Sequence, residues 1–484
     1  MKINLLILLA SCFLAISNYA QQSLEISKAK AKEVDAFIKK EMKLQHMPGM
    51  AYAVVSNGKT LLRGNYGYAS LEYKVPVSDS SRFWIASISK HMTCVAIMLL
   101  KQDGVLELDV PIKTYLPDAP ETWNDITIRH LMTHTSGLPE YEGLSYSNKI
   151  NKEYSADEIY ENIKKDSLLF KPGEKFSYSD DGMTVLGYII HKVSGMSFND
   201  FMQQRIFDPS NMQTAYLMDQ LVIHPNQVTG YRATKNGVVP DRNSGRFIQE
   251  EIQPAGGVFA SIDDMIHWDA ALNTNLLLTE ESKTMMYTPY TLNNGKQTDY
   301  GFGWFTTTID NQLVLYHTGT SGSEFLRLPD KNVSIIVFTN LAKRKHFLSK
   351  ISDILGYSPD ERKDFLEKNR SNITNPKKNE INTLVGHYNL KDIYGLELQI
   401  RLITKEDNTT LCIDFGDGET SNELIKLNDN SWIYYSRRFP QSWHSREIRY
   451  KQVKNSNPLT LNLILNGKII GSIEKIGELD SDKN

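Results

Sequence analysis

Trp84-Ile85-Ala86-Ser87-Ile88-Ser89-Lys90-His91-Met92-Thr93-Cys94-Val95-Ala96-Ile97-Met98-Leu99-Leu100-Lys101-Gln102-Asp103-Gly104 is the stretch on which the reading of this chain turns. Ile88, Met92, Val95, Ile97, Met98, Leu99 and Leu100 put apolar side chains on nearly every face, a pattern a helix needs when it is enclosed inside a domain. Gln102-Asp103-Gly104 closes it. At its mouth Ser87 offers a hydroxyl, and Lys90 an amine one helical turn below, a spacing suited to acyl transfer. The same Ser-x-x-Lys spacing recurs at Ser27/Lys30, Ser56/Lys59 and Ser472/Lys475. None of those opens a buried helix, so Ser87 is the candidate nucleophile. The plainer alternative makes Ser87 an N-cap serine and Lys90 a solvated first-turn lysine.

The chain around this helix has 484 residues, more than one core usually serves, so two domains are expected. With 54 basic and 57 acidic residues and a net charge of −3, nothing in its electrostatics calls for nucleic acid or an anionic membrane as partner. Leu5 to Ile16 is almost wholly apolar after Met1-Lys2, and Asn18-Tyr19-Ala20 precedes Gln21-Gln22. This pattern predicts a secretory signal peptide at residues 1–20, cleaved near Ala20, and a periplasmic or secreted protein. The run is shorter than the ~20 residues a spanning helix needs, so no transmembrane span is expected in the mature chain. Leu9-Ala10-Ser11-Cys12 is the second reading, a lipoprotein box that would anchor the chain at Cys12. Beyond Ala20 only Cys94 and Cys412 remain, both read as buried structural thiols. His130 and His134 stand four apart, but Leu131-Met132-Thr133 between them holds no acidic residue. Neither a metal site nor a cofactor is expected, and both histidines are read as parts of a loop held by local hydrogen bonds.

Strands are predicted at Ala51–Val55 and Thr60–Leu62 around an Asn57-Gly58 turn, at Tyr300–Phe305, at Leu313–Tyr316 and at Val333–Phe338. Such spacing leaves no room for parallel crossovers, so early and late strands are expected to share one antiparallel sheet. Residues from about 105 to 250 look mostly helical, including Ser155–Lys164 and Thr184–Val193, and Asp263-Asp264 are expected to begin a helix running toward Trp268. The expected division is a main domain at 21–355, a polar linker at 356–380 and a small all-β domain at 381–484. In the last, Leu396, Leu398, Ile400 and Leu402 alternate with polar residues, as do Leu411, Ile413 and Phe415. Leu459, Leu461, Leu463 and Leu465 do likewise, with Ile464 as an exception. Its length and Gly386-His387-Tyr388 resemble lipocalin-like barrels. The fold class is α+β: an antiparallel sheet flanked by helices, a helical region, and the all-β domain.

A hydroxyl at its ordinary pKa is a poor nucleophile, so Ser87 needs a base and donors for the oxyanion. Two segments offer them. Lys171-Pro172-Gly173-Glu174-Lys175-Phe176-Ser177-Tyr178-Ser179-Asp180 delivers a tyrosine into a loop just before a helix, and Tyr316-His317-Thr318-Gly319-Thr320 ends an apolar strand beside a glycine that allows close backbone approach. In this order, and with Met47-Pro48-Gly49, Gly64-Asn65-Tyr66-Gly67, Trp84-Ile85-Ala86, Ile128-Arg129-His130-Leu131-Met132-Thr133-His134-Thr135-Ser136-Gly137-Leu138, Ala255-Gly256-Gly257 and Tyr300-Gly301-Phe302-Gly303-Trp304, the chain resembles the serine β-lactamase and penicillin-binding protein family. The likeness is nearest to the branch of class C β-lactamases, DD-peptidases and esterases. It implies the β-lactamase/transpeptidase-like fold, attack by Ser87, proton traffic through Lys90 and Tyr178, and an oxyanion held by the N–H groups of Ser87 and Thr320. It also implies that Asp180, His317, Thr318, Gly319 and Thr320 line the substrate site.

The chain departs from the family at one place, since the usual Tyr-x-Asn is here Tyr178-Ser179-Asp180. An ionised Asp accepts hydrogen bonds and donates none. The family's Asn donates to an amide carbonyl of the substrate, so amide-bearing β-lactams are expected to be poor substrates. A Tyr178 phenolate and a desolvated neutral Lys90 are both open as the base; Asp180 beside Lys90 is expected to keep the lysine protonated, which favours Tyr178, and in the alternative Asp180 receives a substrate ammonium. The expected activity is a peptidase or amidase on peptides containing D-amino acids, with peptidoglycan as their source. A carboxylesterase comes next, then a β-lactamase, and outside the enzymes a protein that binds peptidoglycan or penicillin without turnover.

Overall fold

The computed structural model of the chain describes residues 25–139, 155–219, 222–234, 237–241, 253–309, 311–342, 347–358, 370–392, 397–404, 410–414, 422–427, 431–436, 449–454, 456–465 and 468–477. The readings placed on residues 1–20, on Leu396 and on Phe415 lie outside them. The chain divides into two compact units, residues 1–308 with 313–356, and residues 309–312 with 357–484. No helix among the described residues is long and apolar enough to cross a membrane.

The first unit is built on a seven-stranded sheet of β1 (Gly49–Ser56), β2 (Lys59–Ser70), β3 (Val75–Pro76), β4 (Phe305–Ile309), β5 (Gln312–Thr318), β6 (Glu324–Leu328) and β7 (Val333–Thr339), in the order β3-β2-β1-β7-β6-β5-β4. The hairpin expected at Asn57-Gly58 is present. Both residues are left-handed, at φ 49° and 71°, which a two-residue turn between twisted strands requires. Early and late strands meet at the sheet centre, where β1 runs antiparallel to β7 from Met50↔Thr339 to Ser56↔Val333. Every residue of β1 is buried, so the sheet is covered on both faces at this central strand.

Against one face lies α2 (Ser89–Gln102), which follows α1 (Lys28–Leu44) in the chain and is buried at every position from Ser89 to Leu100. Met92, Val95, Ile97 and Met98 share a core with Ala51, Ala53 and Val55 of β1 and with Ile336 and Phe338 of β7. Further helices complete this core, among them α3 (Asp180–Ser194) and α4 (Ile262–Leu272). Ser261 caps α4 reciprocally with Asp264, while Asp263 pairs with Arg63 at 3.0 Å, so the two acidic residues are structural. A buried ion pair from Arg327 Nε to Asp269 at 2.9 Å ties β6 to α4.

One expectation needs correction. Tyr300–Phe305 is not a strand throughout: β4 starts only at Phe305, and Tyr300–Trp304 folds back, with Gly301 N–H donating to the Trp304 carbonyl at 2.9 Å. The glycines are the reason. Gly303 is left-handed at φ 72°, and a Cβ there would lie 2.6 Å from His91 Cα on α2. The region from about 105 to 250, expected to be mostly helical, also holds short strands at Tyr216–Leu217, Tyr231–Thr234 and Gly237–Pro240.

In the second unit eight strands, from Gly386–Asp392 to Lys468–Gly477, pair in sequence order and close into a barrel. Tyr388, Leu402, Leu411, Ile413, Leu424, Trp432, Tyr450, Leu461 and Ile473 form its core. Between the last two strands the pairing register shifts by one residue between Leu463 and Ile464.

Candidate active site

Ser87 stands in a single 3₁₀ turn, Ala86–Ile88, and α2 begins only at Ser89 with Ile88 as its N-cap. The N-cap role considered for Ser87 is therefore not its role. Ala86 is held left-handed at φ 49°, a strained conformation for a residue with a Cβ. Its surroundings enforce it. Ile85 N–H donates to the Val258 carbonyl at 3.0 Å, and Ser89 Oγ donates to the Ala86 carbonyl at 2.7 Å while accepting from Val258 N–H at 3.1 Å. The close approach expected at Gly319 is made here, since a Cβ on it would sit 2.4 Å from the Ile85 carbonyl oxygen. The end of β5 is thus pressed against the turn that presents Ser87.

Lys90 is fully enclosed, contrary to the solvated reading. Its Nζ lies 3.1 Å from Ser87 Oγ, 2.7 Å from the Ala255 carbonyl oxygen and 2.7 Å from Asp180 Oδ1. Burying an unpaired ammonium costs several kcal/mol, so these acceptors are a condition for keeping the charge there. Burial alone would depress Lys90, but Asp180 and then Tyr178 outweigh it and hold the ammonium above its ordinary value. Asp180 differs from its partner in exposure: the Lys90 side chain is 0% exposed and that of Asp180 43%. It is the first residue of α3, where an anion also suits the helix dipole, and Ser179 caps that helix by accepting from Gly182 N–H.

Tyr178 lies with its ring 4.7 Å from the Lys90 Nζ. Burial pushes its phenol up to about 12, Lys90 pulls against that, and Asp180 adds to the rise. The loop carrying it is laced to Thr133–Gly137. Gly173 N–H donates to the Thr135 carbonyl at 2.8 Å, Ser177 N–H to the His134 carbonyl at 2.9 Å, and Ser179 N–H to His134 Nδ1 at 3.2 Å.

His317, at the end of β5, donates from Nδ1 to the Thr318 carbonyl at 2.9 Å, and its Nε2 lies 3.1 Å from Tyr300 Oη. Both ring nitrogens are engaged inside the protein. Burial, and next to it the Lys90 charge, push His317 down to about 3, so it is neutral. Gly319 N–H is taken by the Ser323 carbonyl at 2.8 Å, while Thr320 is exposed at the turn beyond.

The sequence reading missed His134 and Tyr300. His130 makes the local bonds expected, its Nδ1 accepting from Thr127 N–H and its backbone N–H donating to Thr127 Oγ1, but its Nε2 also reaches Tyr290 Oη at 3.0 Å. His134 instead packs its ring 4.3 Å from that of Tyr178 and 4.8 Å from that of Tyr300. The signal for both was present in Thr133-His134-Thr135-Ser136-Gly137 and in Tyr300-Gly301-Phe302-Gly303-Trp304. Neither segment shows by itself that the two meet.

The Beta-lactamase family model matches residues 34–354. Penicillin-binding protein 4* of Bacillus subtilis (strain 168) is 32% identical over 279 residues, which are 54% of this chain and 60% of that protein. The chain thus spans about three fifths of the length of this curated relative. Among solved structures, the octameric penicillin-binding protein homologue from Pyrococcus abyssi covers 92% of this chain and 99% of its own, at 21% identity and a TM-score of 0.61. The D-amino acid amidase from Ochrobactrum anthropi SV3 covers 69% and 99% at 21% identity and a TM-score of 0.57. At such identities these two likenesses establish the shared fold.

Proposed function

The chain belongs to the beta-lactamase family, and from that premise we propose that this serine hydrolase works through an acyl-enzyme on Ser87 and acts on peptides containing D-amino acids. The observation that carries the proposal is the Lys90 ammonium, 3.1 Å from Ser87 Oγ and 2.7 Å from Asp180. Paired to a carboxylate, Lys90 has no lone pair with which to take the Ser87 proton. The base is then the Tyr178 phenolate, stabilised by Lys90 across the short gap between them. Ser87 Oγ attacks the substrate carbonyl, its proton passes to Tyr178, and the Ser87 and Thr320 N–H groups receive the oxyanion. The leaving amine or alcohol takes that proton back, and water repeats the sequence on the ester to Ser87.

Asp180 selects among substrates in this scheme. Burial, with the Asp180 carboxylate adding to it, holds Tyr178 protonated at rest, so a substrate ammonium docked on the exposed side of Asp180 lowers the phenol toward the working pH. A D-aminoacyl group with a free amine supplies that charge. The second reading, a carboxylesterase, is favoured by the same residue, because an ester asks less than an amide of a donor at position 180. Labelling with a fluorophosphonate, read by intact mass, should add one adduct to the wild type and none to Ser87→Ala. A panel of D-amino acid amides, D-Ala-D-Ala peptides, p-nitrophenyl esters and nitrocefin should then rank free-amine D-aminoacyl compounds first. Absence of an adduct and of turnover on the whole panel would leave a binding protein instead.

A further inference from the structure

We infer that His134 and Tyr300 are positioning residues of this site, joined with His317 into one hydrogen-bond relay that locks the Tyr178 loop to the end of β5; the inference rests on the serine-hydrolase reading above. The relay has a single direction, fixed by backbone groups at both ends. Ser179 N–H can only donate, so His134 Nδ1 is its acceptor, and the neutral ring carries its hydrogen on Nε2. That Nε2 lies 3.3 Å from Tyr300 Oη and donates to it. At the far end the Thr318 carbonyl can only accept, so His317 Nδ1 bears the hydrogen and Nε2 is bare. Tyr300 therefore gives its one proton to His317 Nε2 at 3.1 Å. A phenol, with one donor and an acceptor, meets both demands at the centre. Phenylalanine meets neither.

The charges required by this scheme are the ones the site imposes. Burial, then Lys90 and His317, hold His134 well below the ordinary imidazole range, and burial holds Tyr300 well above that of a phenol, so all three members are neutral. The consequence for Tyr178 is geometric. Its ring lies 4.3 Å from that of His134, whose orientation is set by Ser179 on one side and Tyr300 on the other. A turned His134 releases the Ser179 amide, one residue from the base. On the other side, His317 carries the chain into Thr318-Gly319-Thr320, so one relay sets the distance between the base and the oxyanion turn.

The test is a double-mutant cycle on the rate of Ser87 labelling by a fluorophosphonate, with inactivation rate and probe affinity measured separately. Tyr300→Phe, which removes one oxygen, should lower the maximal labelling rate by about 10- to 100-fold, the size a misplacement near 1 Å produces, with probe affinity changed less than about two-fold. His134→Asn keeps an acceptor for Ser179 N–H and loses the link to Tyr300, so it should match Tyr300→Phe. The double variant should be no slower than either single one, since each breaks the same chain. Melting curves identify any variant that fails to fold, and Tyr300→Phe alone then decides. Unchanged labelling in Tyr300→Phe, or losses that multiply in the double variant, would overturn the relay. A wild type that never labels would sink the hydrolase reading itself, and this inference with it.

Discussion

In the Lys90–Asp180 half of the site, two full charges face each other at 2.7 Å, one enclosed and the other open to solvent. In the His134–Tyr300–His317 half, three titratable side chains are buried together and every one is neutral. The difference shows two ways of keeping polar groups in a protein interior. A charge survives when a counter-charge and a carbonyl meet it, and an imidazole survives by losing its proton and dividing its nitrogens between a donor and an acceptor. In the proposed scheme the charged half serves proton transfer and the neutral half holds the parts in place. Each half can be broken separately.

The largest effect comes from removing what both halves serve. Ser87→Ala should lower turnover of the best substrate by on the order of 10⁴-fold or more, measured as kcat, while the melting temperature stays within a few degrees. A residual rate near that of the wild type would place the nucleophile elsewhere.

Next in size is the pH dependence of the charged half. With the Tyr178 phenol at about 12, the phenolate is the scarce form at neutral pH. Activity that needs it should rise about tenfold per pH unit between pH 7 and 9 with a neutral substrate, and level only as pH nears the phenol's own value. A flat profile over that range would exclude the phenolate as base.

Asp180→Asn should sharpen the contrast more modestly. Removing the anion relieves the upward pressure on Tyr178 and returns an amide donor. Turnover of nitrocefin or benzylpenicillin should rise about tenfold, and that of free-amine D-aminoacyl amides should fall by a similar factor. Parallel changes in both classes would detach Asp180 from selectivity.

The smallest effect tests the neutral half in acid. His317 sits at about 3 in the folded chain against an ordinary value of 6.5, so below pH 6.5 the unfolded state binds a proton that the folded state refuses. Stability from this group is complete above pH 6.5 and is lost as pH falls toward 3. His91 and His134 are depressed in the same direction. The melting temperature should drop by several degrees between pH 7 and 5, and His317→Gln should flatten that slope.

The same contrast separates what was legible in the sequence from what was not. The enclosed α2 helix, the Asn57-Gly58 hairpin and the late strands of the sheet were readable because hydrophobic period and left-handed turn residues are local demands. The barrel was readable for the same reason, since its strands alternate apolar and polar residues. Tyr300–Trp304 misled because its aromatic residues suggest a strand while its glycines serve contacts with α2 and with the Met286 carbonyl. His134 misled because local hydrogen bonds are the commoner fate of a histidine in such a loop.

By itself the sequence determined the buried helix with Ser87 and Lys90 at its mouth, the sheet that closes behind it, the separate β unit, and the exchange of a donor for an acceptor at position 180. Only the tertiary structure decided that Lys90 is enclosed and paired, that His317 is neutral with both nitrogens committed, and that Tyr300 stands between two histidines far from each other in the chain. The physical reason is range. Periodicity and backbone conformation act between residues a few positions apart, whereas protonation and hydrogen-bond direction depend on whatever the folded chain brings within about 3 Å.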